Sequence, residues 1–442
     1  MMDKKPATLA EKAREQLLKR FAQPKPTANA SNAAAFAARS TRVADDFCRF
    51  DRHPGYEKLL VPRAAAERFG IANPFFKIHQ GIGGATTQIN GRDYLNFASY
   101  NYLGLSGHPA VNQAAKDAID QYGTSVSASR LVAGERPIQR ELETAIAALY
   151  EVDDCVVFVS GHATNVSTIG HLFGAKDLIV HDSLIHNSVI EGIKLSGATR
   201  RSFAHNNPEA LDALLTELRG QFERVLIVIE GLYSMDGDLP DLPKFIAIKA
   251  RHQAFLMVDE AHSLGVLGQT GRGLREHFGV AGKAVDIWMG TLSKTLAGCG
   301  GYIAGETALI DNLKYTAPGF VYSVGIAPPV AAAALAALRI MLAEPARVAQ
   351  VQARSHQLLQ LAQAHGINTG TAQGYAVIPA IVGSSIKATK LSNQLFDKGI
   401  NVQPILYPAV EERAARLRFF VSSLHSEAQV KTAIEMLAGM LS

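Results

Sequence analysis

Short apolar runs alternate with segments of helical periodicity along most of the chain. The runs Arg224–Glu230 and Ala254–Asp259 are of the kind found in strands buried on both faces, and Arg136–Tyr150 has the apolar spacing of an amphipathic helix. Parallel sheets are covered by helices on both faces, so their strands show near-continuous apolar runs. The pattern therefore predicts an α/β fold whose large domain contains a mainly parallel sheet between helices.

A second pattern begins after about residue 340. A long helix precedes strands near Tyr375–Val382, Ile400–Pro404 and Leu417–Ser422, which predicts a smaller α+β domain that closes over the first. Four regions are expected: a partly flexible N-terminal extension (1–55), a segment that packs on both domains (56–105), the large domain (106–340) and the small C-terminal domain (341–442).

Composition and charge exclude some classes of protein. Of the 442 residues, 48% are hydrophobic, which is enough for a large core, and the net charge of +4 is too small to indicate nucleic acid as a partner. The first 25 residues are more basic, with seven Lys and Arg against three Asp and Glu. They predict either a solvated helix over Ala7–Phe21 or a docking segment for an acidic partner, followed by a linker or loose helix over Pro24–Ala38.

Nothing in the sequence predicts export or a membrane span. The cysteines Cys48, Cys155 and Cys299 form no CxxC pair and no disulfide framework, and the N-terminus lacks the apolar stretch of a secretory signal. The longest apolar run, near Ala327–Leu338, contains two prolines and is too short to cross a bilayer, so it predicts a core helix. We expect a cytoplasmic protein without a transmembrane segment.

Two polar residues follow predicted strands, at the edge where ligands bind in such sheets. Asp259 ends one strand and could be a plain helix N-cap, whereas Lys294 follows a strand at Ala284–Met289 and could lie in a surface loop. Together they match what pyridoxal phosphate (PLP) requires: a lysine amine that binds its aldehyde covalently and an acid that pairs with its ring nitrogen. His262, three residues after Asp259, can bond to the ring's phenolic oxygen.

A phosphate group needs backbone N–H groups at the start of a helix, with hydroxyl groups nearby. Gly161 and His162 follow the strand Cys155–Val159 and open a helix, so they stand where the phosphate of PLP would bind. Thr291 and Ser293 can supply hydroxyl groups. We therefore predict PLP as the cofactor.

A series of motifs extends this agreement along the chain: Ser99–Gly104, Ser129–Gly134, Ser160–Asn165, Glu230–Gly237, Asp259–His262, Gly271–Gly273, Thr291–Lys294 and Ala415–Arg418. In order and spacing they resemble the α-oxoamine synthase family of fold-type I PLP enzymes, which includes serine palmitoyltransferase and 8-amino-7-oxononanoate synthase. The resemblance covers roughly residues 56–442. It implies a fold-type I PLP-dependent transferase with a seven-stranded type of sheet, and a homodimer whose active sites are shared between subunits.

The resemblance also implies roles for particular residues. His186 would stack on the cofactor ring, although a histidine at this position is more often structural. Ser234 would lie near the ring oxygen, Glu230 matches the family acid at its strand end, and Ser323 would reach the phosphate from the partner subunit. The other implied cofactor contacts are Gly161, His162, Asp259, Ala261, His262, Thr291 and Lys294, and the implied catalytic residues are Lys294, His186, Asp259 and His262.

Arg418 is expected to bind the carboxylate of the substrate, because a guanidinium matches a carboxylate with two parallel hydrogen bonds. Arg416 is a weaker candidate, and either arginine alone could instead form a surface ion pair. Tyr100 stands where several family members have an asparagine that helps to hold the amino acid. We expect Tyr100 and Asn101 to contact the substrate.

By resemblance, the reaction is a decarboxylative Claisen condensation of a small L-amino acid (glycine, alanine or serine) with an acyl thioester of CoA or of an acyl carrier protein. The products are an α-amino ketone, CO2 and a free thiol. An aminotransferase or aldolase of the same fold is the alternative, and Lys294 argues against a noncatalytic chain. No metal site is predicted, because HExxH is absent and His181 with Asp182 and His186 matches metal ligands poorly.

Overall fold

The computed structural model describes residues 43–68 and 70–441. It contains two compact units, one that ends at Ala72 and one that comprises Asn73–Ser442. The helix and the linker predicted within residues 1–42 lie outside the described residues. The domain boundaries predicted within the second unit stay predictions.

The elements are numbered in chain order. The first unit contains helix α1 (Pro54–Arg68), after 3-10 turns at Asp45–Phe47 and Phe50–Arg52. The strands of the second unit are β1 (His79–Gln80), β2 (Thr86–Ile89), β3 (Arg92–Asn96), β4 (Asp154–Phe158), β5 (Leu178–Asp182), β6 (Thr199–Phe203), β7 (Val225–Glu230), β8 (Phe255–Asp259), β9 (Ile287–Thr291), β10 (Gly301–Gly305), β11 (Val377–Ile381), β12 (Ile400–Asn401), β13 (Gln403–Ile405) and β14 (Arg416–Phe420). Its helices are α2 (Pro109–Tyr122), α3 (Pro137–Tyr150), α4 (Gly161–Leu172), α5 (Asn187–Ser196), α6 (Pro208–Leu218), α7 (Leu242–His252), α8 (Leu274–Phe278), α9 (Thr307–Thr316), α10 (Pro318–Val321), α11 (Pro328–Ala343), α12 (Ala346–Ala364), α13 (Ser385–Asp397) and α14 (Glu427–Leu441).

The central sheet has seven strands in the order β4-β10-β9-β8-β7-β5-β6. Strand β10 is antiparallel to β4 and β9, and the other neighbouring strands are parallel. Parallel neighbours need long crossover connections, and helices such as α5, α6 and α7 supply them. The predicted α/β class with a mainly parallel sheet is confirmed.

Both faces of this sheet are buried. Successive residues of β7 enter different apolar clusters: Val225, Ile227 and Ile229 pack in one cluster, and Leu226 and Val228 pack in the other. The continuous apolar run in the sequence therefore reflects helices on both faces of the sheet, as predicted.

The C-terminal region has its own antiparallel sheet, in the order β11-β14-β13, and helices α12, α13 and α14 pack with it around a separate apolar cluster. The prediction of one continuous strand at Ile400–Pro404 is wrong, because the region forms two short strands. Val402 separates two short strands that pair in different sheets, since β12 lies parallel to β3 and β13 pairs with β14. Sequence periodicity does not record this change of partner.

The apolar run near Ala327–Leu338 is a core helix, as predicted. It forms α11, in which Ala331, Leu335 and Leu338 are buried. Among the residues described, no single helix is long and apolar enough to cross a membrane. Helices α11 and α12, bent by 81°, meet the length and composition requirement only as a pair.

Candidate active site

Most of the predicted site residues lie in one cavity at the carboxyl edge of the central sheet. Strands β7 and β8 end side by side at Glu230 and Asp259, and β9 ends at Thr291. The loops after these strands, with helix α4, enclose about 330 Å³. The lining includes the predicted residues Tyr100, Gly161, His162, His186, Ser234, Asp259, Ala261, His262, Thr291, Lys294 and Arg418.

Two N–H donors fix the carboxylate of Asp259. The main-chain N–H of Ala261 donates to Oδ1 at 3.0 Å, and the side-chain amide of Asn165 donates to Oδ2 at 2.9 Å. These two bonds leave the buried carboxylate of Asp259 in a fixed position, where it can pair with a protonated ring nitrogen of a cofactor.

Lys294 provides the amine of the cavity. Burial lowers its pKa to about 7, against the opposing influence of Asp259 and Glu230. About half of the lysine is therefore unprotonated at neutral pH, and an unprotonated amine is the form that attacks an aldehyde. Its Nζ lies 5.6 Å from the ring centre of Tyr100.

Glu230 is a second acid beside Asp259. Burial, together with the charge of Asp259, raises the pKa of Glu230 to about 8, so the carboxyl group is mostly neutral at pH 7. Its Oε2 accepts a hydrogen bond from the main-chain N–H of Ser234 at 3.2 Å. Its Oε1 is buried and has no hydrogen-bond partner among the described residues, and the residue lines the cavity.

Two of the three histidines that line the site, His186 and His262, are held in the same tautomer. The main-chain N–H of Ser188 donates to Nδ1 of His186 at 3.3 Å, so that nitrogen carries no proton in the neutral ring. The buried hydroxyl of Tyr102 lies 2.7 Å from Nδ1 of His262 and has no other partner among the described residues, so it donates there. Burial lowers the pKa of both histidines. Both neutral rings therefore carry their proton on Nε2.

The start of helix α4 can bind an anion. Ser160 caps the helix by accepting from the N–H of Ala163 at 3.3 Å, whereas the N–H groups of Gly161 and His162 have no partner in the part of the chain described. A Cβ atom at position 161 would lie 2.8 Å from Thr291 Oγ1, so glycine lets the helix end approach β9. Free N–H groups and the helix dipole make this end a phosphate site.

Arg418 extends from β14 of the small sheet into the cavity. Its Nη1 donates to the main-chain oxygen of Ser234 at 2.9 Å, and its guanidinium carbon lies 4.6 Å from the ring centre of Phe420. Its buried Nε–H has no partner within residues 43–68 and 70–441. A carboxylate that accepts from this edge of the guanidinium would satisfy it.

Asn101 does not line the cavity, which corrects its prediction as a substrate contact. Its Nδ2 donates to the main-chain oxygens of Gly83 and Ser106, at 3.1 and 3.3 Å, and its Oδ1 accepts from the N–H of Ser106 at 3.1 Å. Both the N–H groups and the oxygen of the Asn101 side chain therefore bond to the main chain near Tyr100 and stabilise that loop.

Arg416 also points away from the cavity. Its Nη1 forms an ion pair with Asp236 at 2.6 Å and donates to the main-chain oxygen of Met235 at 2.8 Å, so it holds the loop after β7. Ser323 lies beside a separate small pocket with Arg130 and Phe320. Its predicted contact with the phosphate of the partner subunit stays a prediction.

These groups fit PLP on the chemistry of their donors. Lys294 offers an amine for the aldehyde, Asp259 a carboxylate for the ring nitrogen, and Gly161 and His162 free N–H groups for the phosphate. The Nε2–H of His262 remains for the phenolic oxygen. Each polar feature of the cofactor has a matching group in the cavity.

The amino-acid sequence matches the model of the aminotransferase class I and II family over residues 92–437. The chain belongs to this family. It is 38% identical over 355 residues to the 8-amino-7-oxononanoate synthase of Fervidobacterium nodosum, which covers 80% of this chain and 89% of the relative. It is 37% identical over 350 residues to the enzyme of that name from Symbiobacterium thermophilum, which covers 79% and 89%.

Solved structures agree with the sequence relatives. Serine palmitoyltransferase of Sphingomonas wittichii superposes with a TM-score of 0.83 at 30% identity, over 88% of this chain and 98% of that one. The 8-amino-7-oxononanoate synthase of Francisella tularensis superposes with a TM-score of 0.69 at 27% identity, over 79% and 98%. The predicted α-oxoamine synthase membership, type I fold, enzyme class of PLP-dependent C-acyltransferase and PLP cofactor are confirmed.

Other residues of this α-oxoamine synthase cavity were not predicted from the sequence. Asn165 ends the motif Ser160–Asn165, yet its bond to Asp259 joins positions 94 residues apart, which spacing alone cannot reveal. The role of Tyr102 could not be predicted for the same reason, because its bond to His262 joins positions 160 residues apart. The remaining unpredicted lining residues are Ser160, Ser188, Met235 and Met289.

Proposed function

We propose that this α-oxoamine synthase condenses a small L-amino acid with an acyl thioester, with loss of CO2 and release of a free thiol, to give an α-amino ketone. One observation carries the proposal: Lys294, whose pKa burial lowers to about 7, shares a cavity with Arg418, whose Nε–H has no partner among the described residues. An amine that removes a proton and a guanidinium that holds a carboxylate are the groups that an amino acid substrate needs.

The residues of the cavity divide the chemical work. PLP supplies a ring that withdraws electrons from the α-carbon of the amino acid. Asp259 holds a proton on the ring nitrogen, and Lys294 Nζ accepts the α-proton. Arg418 and the Nε2–H of His186 hold the carboxylate that is later lost as CO2. Because these groups are already in position, they stabilise the charge that develops during the reaction without having to reorganise. This stabilisation is the largest expected contribution of the protein to the rate.

The proposed amino acid is glycine, alanine or serine, as the family resemblance implies. Initial rates of thiol release will identify the pair of substrates, with each of these amino acids combined with acyl-CoA and acyl carrier protein esters of several chain lengths. Release that depends on one amino acid supports the proposal. Transfer of the amino group to a keto acid without thiol release would favour the aminotransferase alternative.

Replacement of Arg418 by lysine is expected to raise the KM for the amino acid by about 10- to 100-fold and to leave PLP bound. Lysine keeps the charge but loses the planar pair of donors, and bonds to charged groups are worth about 1.5–3 kcal/mol. The matched control is Arg413→Lys, at an exposed arginine in a nearby turn. A KM within twofold of the unaltered enzyme would remove Arg418 from substrate binding.

We also propose that the enzyme is a homodimer in which Ser323 completes the site of the partner subunit. Tyr322 and Val324, the sequence neighbours of Ser323, are exposed apolar residues, as are Leu131 and Val132, which follow Arg130 of the same small pocket. Exposed apolar patches mark interfaces. Sedimentation velocity at micromolar concentration should give about twice the mass of the chain, and a monomer with full activity would contradict the proposal.

A further inference from the structure

Asn165 links two catalytic groups that come from different elements. It is the fifth residue of α4 and is almost completely buried. Its Nδ2 donates one hydrogen to Asp259 Oδ2 and the other to Ser188 Oγ, both at 2.9 Å. A primary amide has only these two hydrogens, so both are used in bonds to the site.

The orientation of this amide is determined by its neighbours. Turning it over would direct Oδ1 at the carboxylate of Asp259, where two acceptors would repel each other. In the orientation present, Oδ1 is buried without a partner among the described residues, which is a cost to stability. The fold therefore retains an unsatisfied oxygen in order to direct both N–H groups at Asp259 and Ser188.

Ser188 carries the second bond onward to His186. Its Oγ accepts from Asn165 and lies 2.8 Å from His186 Nδ1, and its main-chain N–H also donates to that nitrogen. Because Nδ1 accepts from the main chain, the hydroxyl of Ser188 must donate there too. Every hydrogen along this path is assigned, from Asp259 through Asn165 and Ser188 to His186.

We propose that Asn165 is a positioning residue for the reaction, which fixes the carboxylate of Asp259 through one N–H and, through Ser188, holds the proton of His186 on Nε2. The inference rests on the proposed function for the roles of Asp259 and His186. It predicts two separable branches: the Asp259 branch supports the binding of PLP, and the His186 branch supports the binding of the amino acid.

The test compares Asn165→Ala, which removes both branches, with Ser188→Ala, which removes the His186 branch alone. The affinity for PLP is measured by titration of the apoenzyme, and kcat and KM for the amino acid are measured on the loaded enzyme. Asn165→Ala is expected to weaken PLP binding by about 10- to 100-fold. Ser188→Ala is expected to leave PLP affinity within about threefold but to raise the KM, and Ser188→Thr, which keeps the hydroxyl, is expected to restore it.

The control is Asn401→Ala, which removes a fully buried amide that bonds to Asn96 outside the cavity. It should lower thermal stability without changing PLP affinity. Unchanged PLP affinity in Asn165→Ala, or an equal loss in Ser188→Ala, would overturn the proposal. If Asn165→Ala does not fold, failure of Ser188→Thr to restore the KM that Ser188→Ala raises would overturn it. Because PLP affinity is measured without any acyl donor, the outcome stands apart from the proposed condensation.

Discussion

Replacement of Lys294 by alanine is expected to abolish thiol release and to remove the visible absorbance of lysine-bound PLP. Lys294 both holds the cofactor and accepts a proton, and proton transfer by a positioned group alone contributes about 10²- to 10⁴-fold to a rate. The loss of both roles should lower kcat by at least about 10⁴-fold. Initial rates and absorbance spectra of the variant measure the two effects separately.

The matched control for this prediction is Lys390→Ala, at an exposed lysine of α13. It should keep the rate and the spectrum of the unaltered enzyme. Full activity in Lys294→Ala would contradict the assignment of the cavity as a PLP site, whatever the substrate.

Replacement of His205 by alanine is expected to cause a large loss of stability. His205 lies between two buried carboxylates, with Nδ1 2.9 Å from Asp182 and Nε2 2.9 Å from Asp238. Removal of one partner from a buried ion pair costs about 3–5 kcal/mol, because it leaves buried charge uncompensated. The midpoint of thermal unfolding should fall by roughly 5–10 °C. The exposed His365 provides the control His365→Ala, and a similar midpoint in both variants would contradict the prediction.

The contribution of His205 should also depend on pH. Burial alone would lower its pKa, but hydrogen bonds to Asp182 and Asp238 outweigh burial and raise the pKa to about 10. The unfolded chain has a histidine pKa of about 6.5. Because the pKa of His205 is higher in the folded protein than in the unfolded chain, the stabilisation is complete below the unfolded pKa. It is lost as the pH rises towards 10. The free energy of unfolding of the unaltered enzyme should therefore exceed that of His205→Gln by less and less between about pH 6.5 and 10. A difference that stays constant over this range would contradict stabilisation by protonated His205.

The cluster around His205 joins the fold to the site. Asp182 ends β5, four residues before His186, and its Oδ1 also accepts from the N–H of Leu184 at 2.8 Å. Asp238 follows the loop that contains Ser234. The partly buried imidazolium of His205 thus fixes the loops that carry two lining residues of the cavity, His186 and Ser234.

Much of the fold could be predicted from the sequence because hydrophobic periodicity reports which faces are buried. The apolar runs that form β7 and β8 are recognisable as strands because helices cover both faces of the sheet there. The strand predicted at Ala284–Met289 lies slightly later, as β9, because Gly282–Ala284 forms a 3-10 turn whose Gly282 oxygen accepts from Trp288 Nε1. Boundaries of this kind depend on tertiary bonds that periodicity does not contain.

The site residues that lie just after a strand or at the start of a helix could be predicted from the sequence. Asp259, Lys294 and Gly161 fall at strand ends or helix starts, so sequence order alone brings them to one edge of the sheet. Asn165 and His205 act through partners that the fold brings close from distant positions. Their residue types alone do not indicate these roles, because the roles depend on partners that are distant in sequence.

The most direct test of the proposed function is the ratio of CO2 to free thiol released. The enzyme is incubated with an acyl thioester and an amino acid labelled at its carboxyl carbon, and both products are measured over the same interval. The proposed condensation predicts one CO2 for each thiol, and no thiol when the amino acid is omitted. Thiol release without labelled CO2, or consumption of the amino acid with neither product, would contradict it.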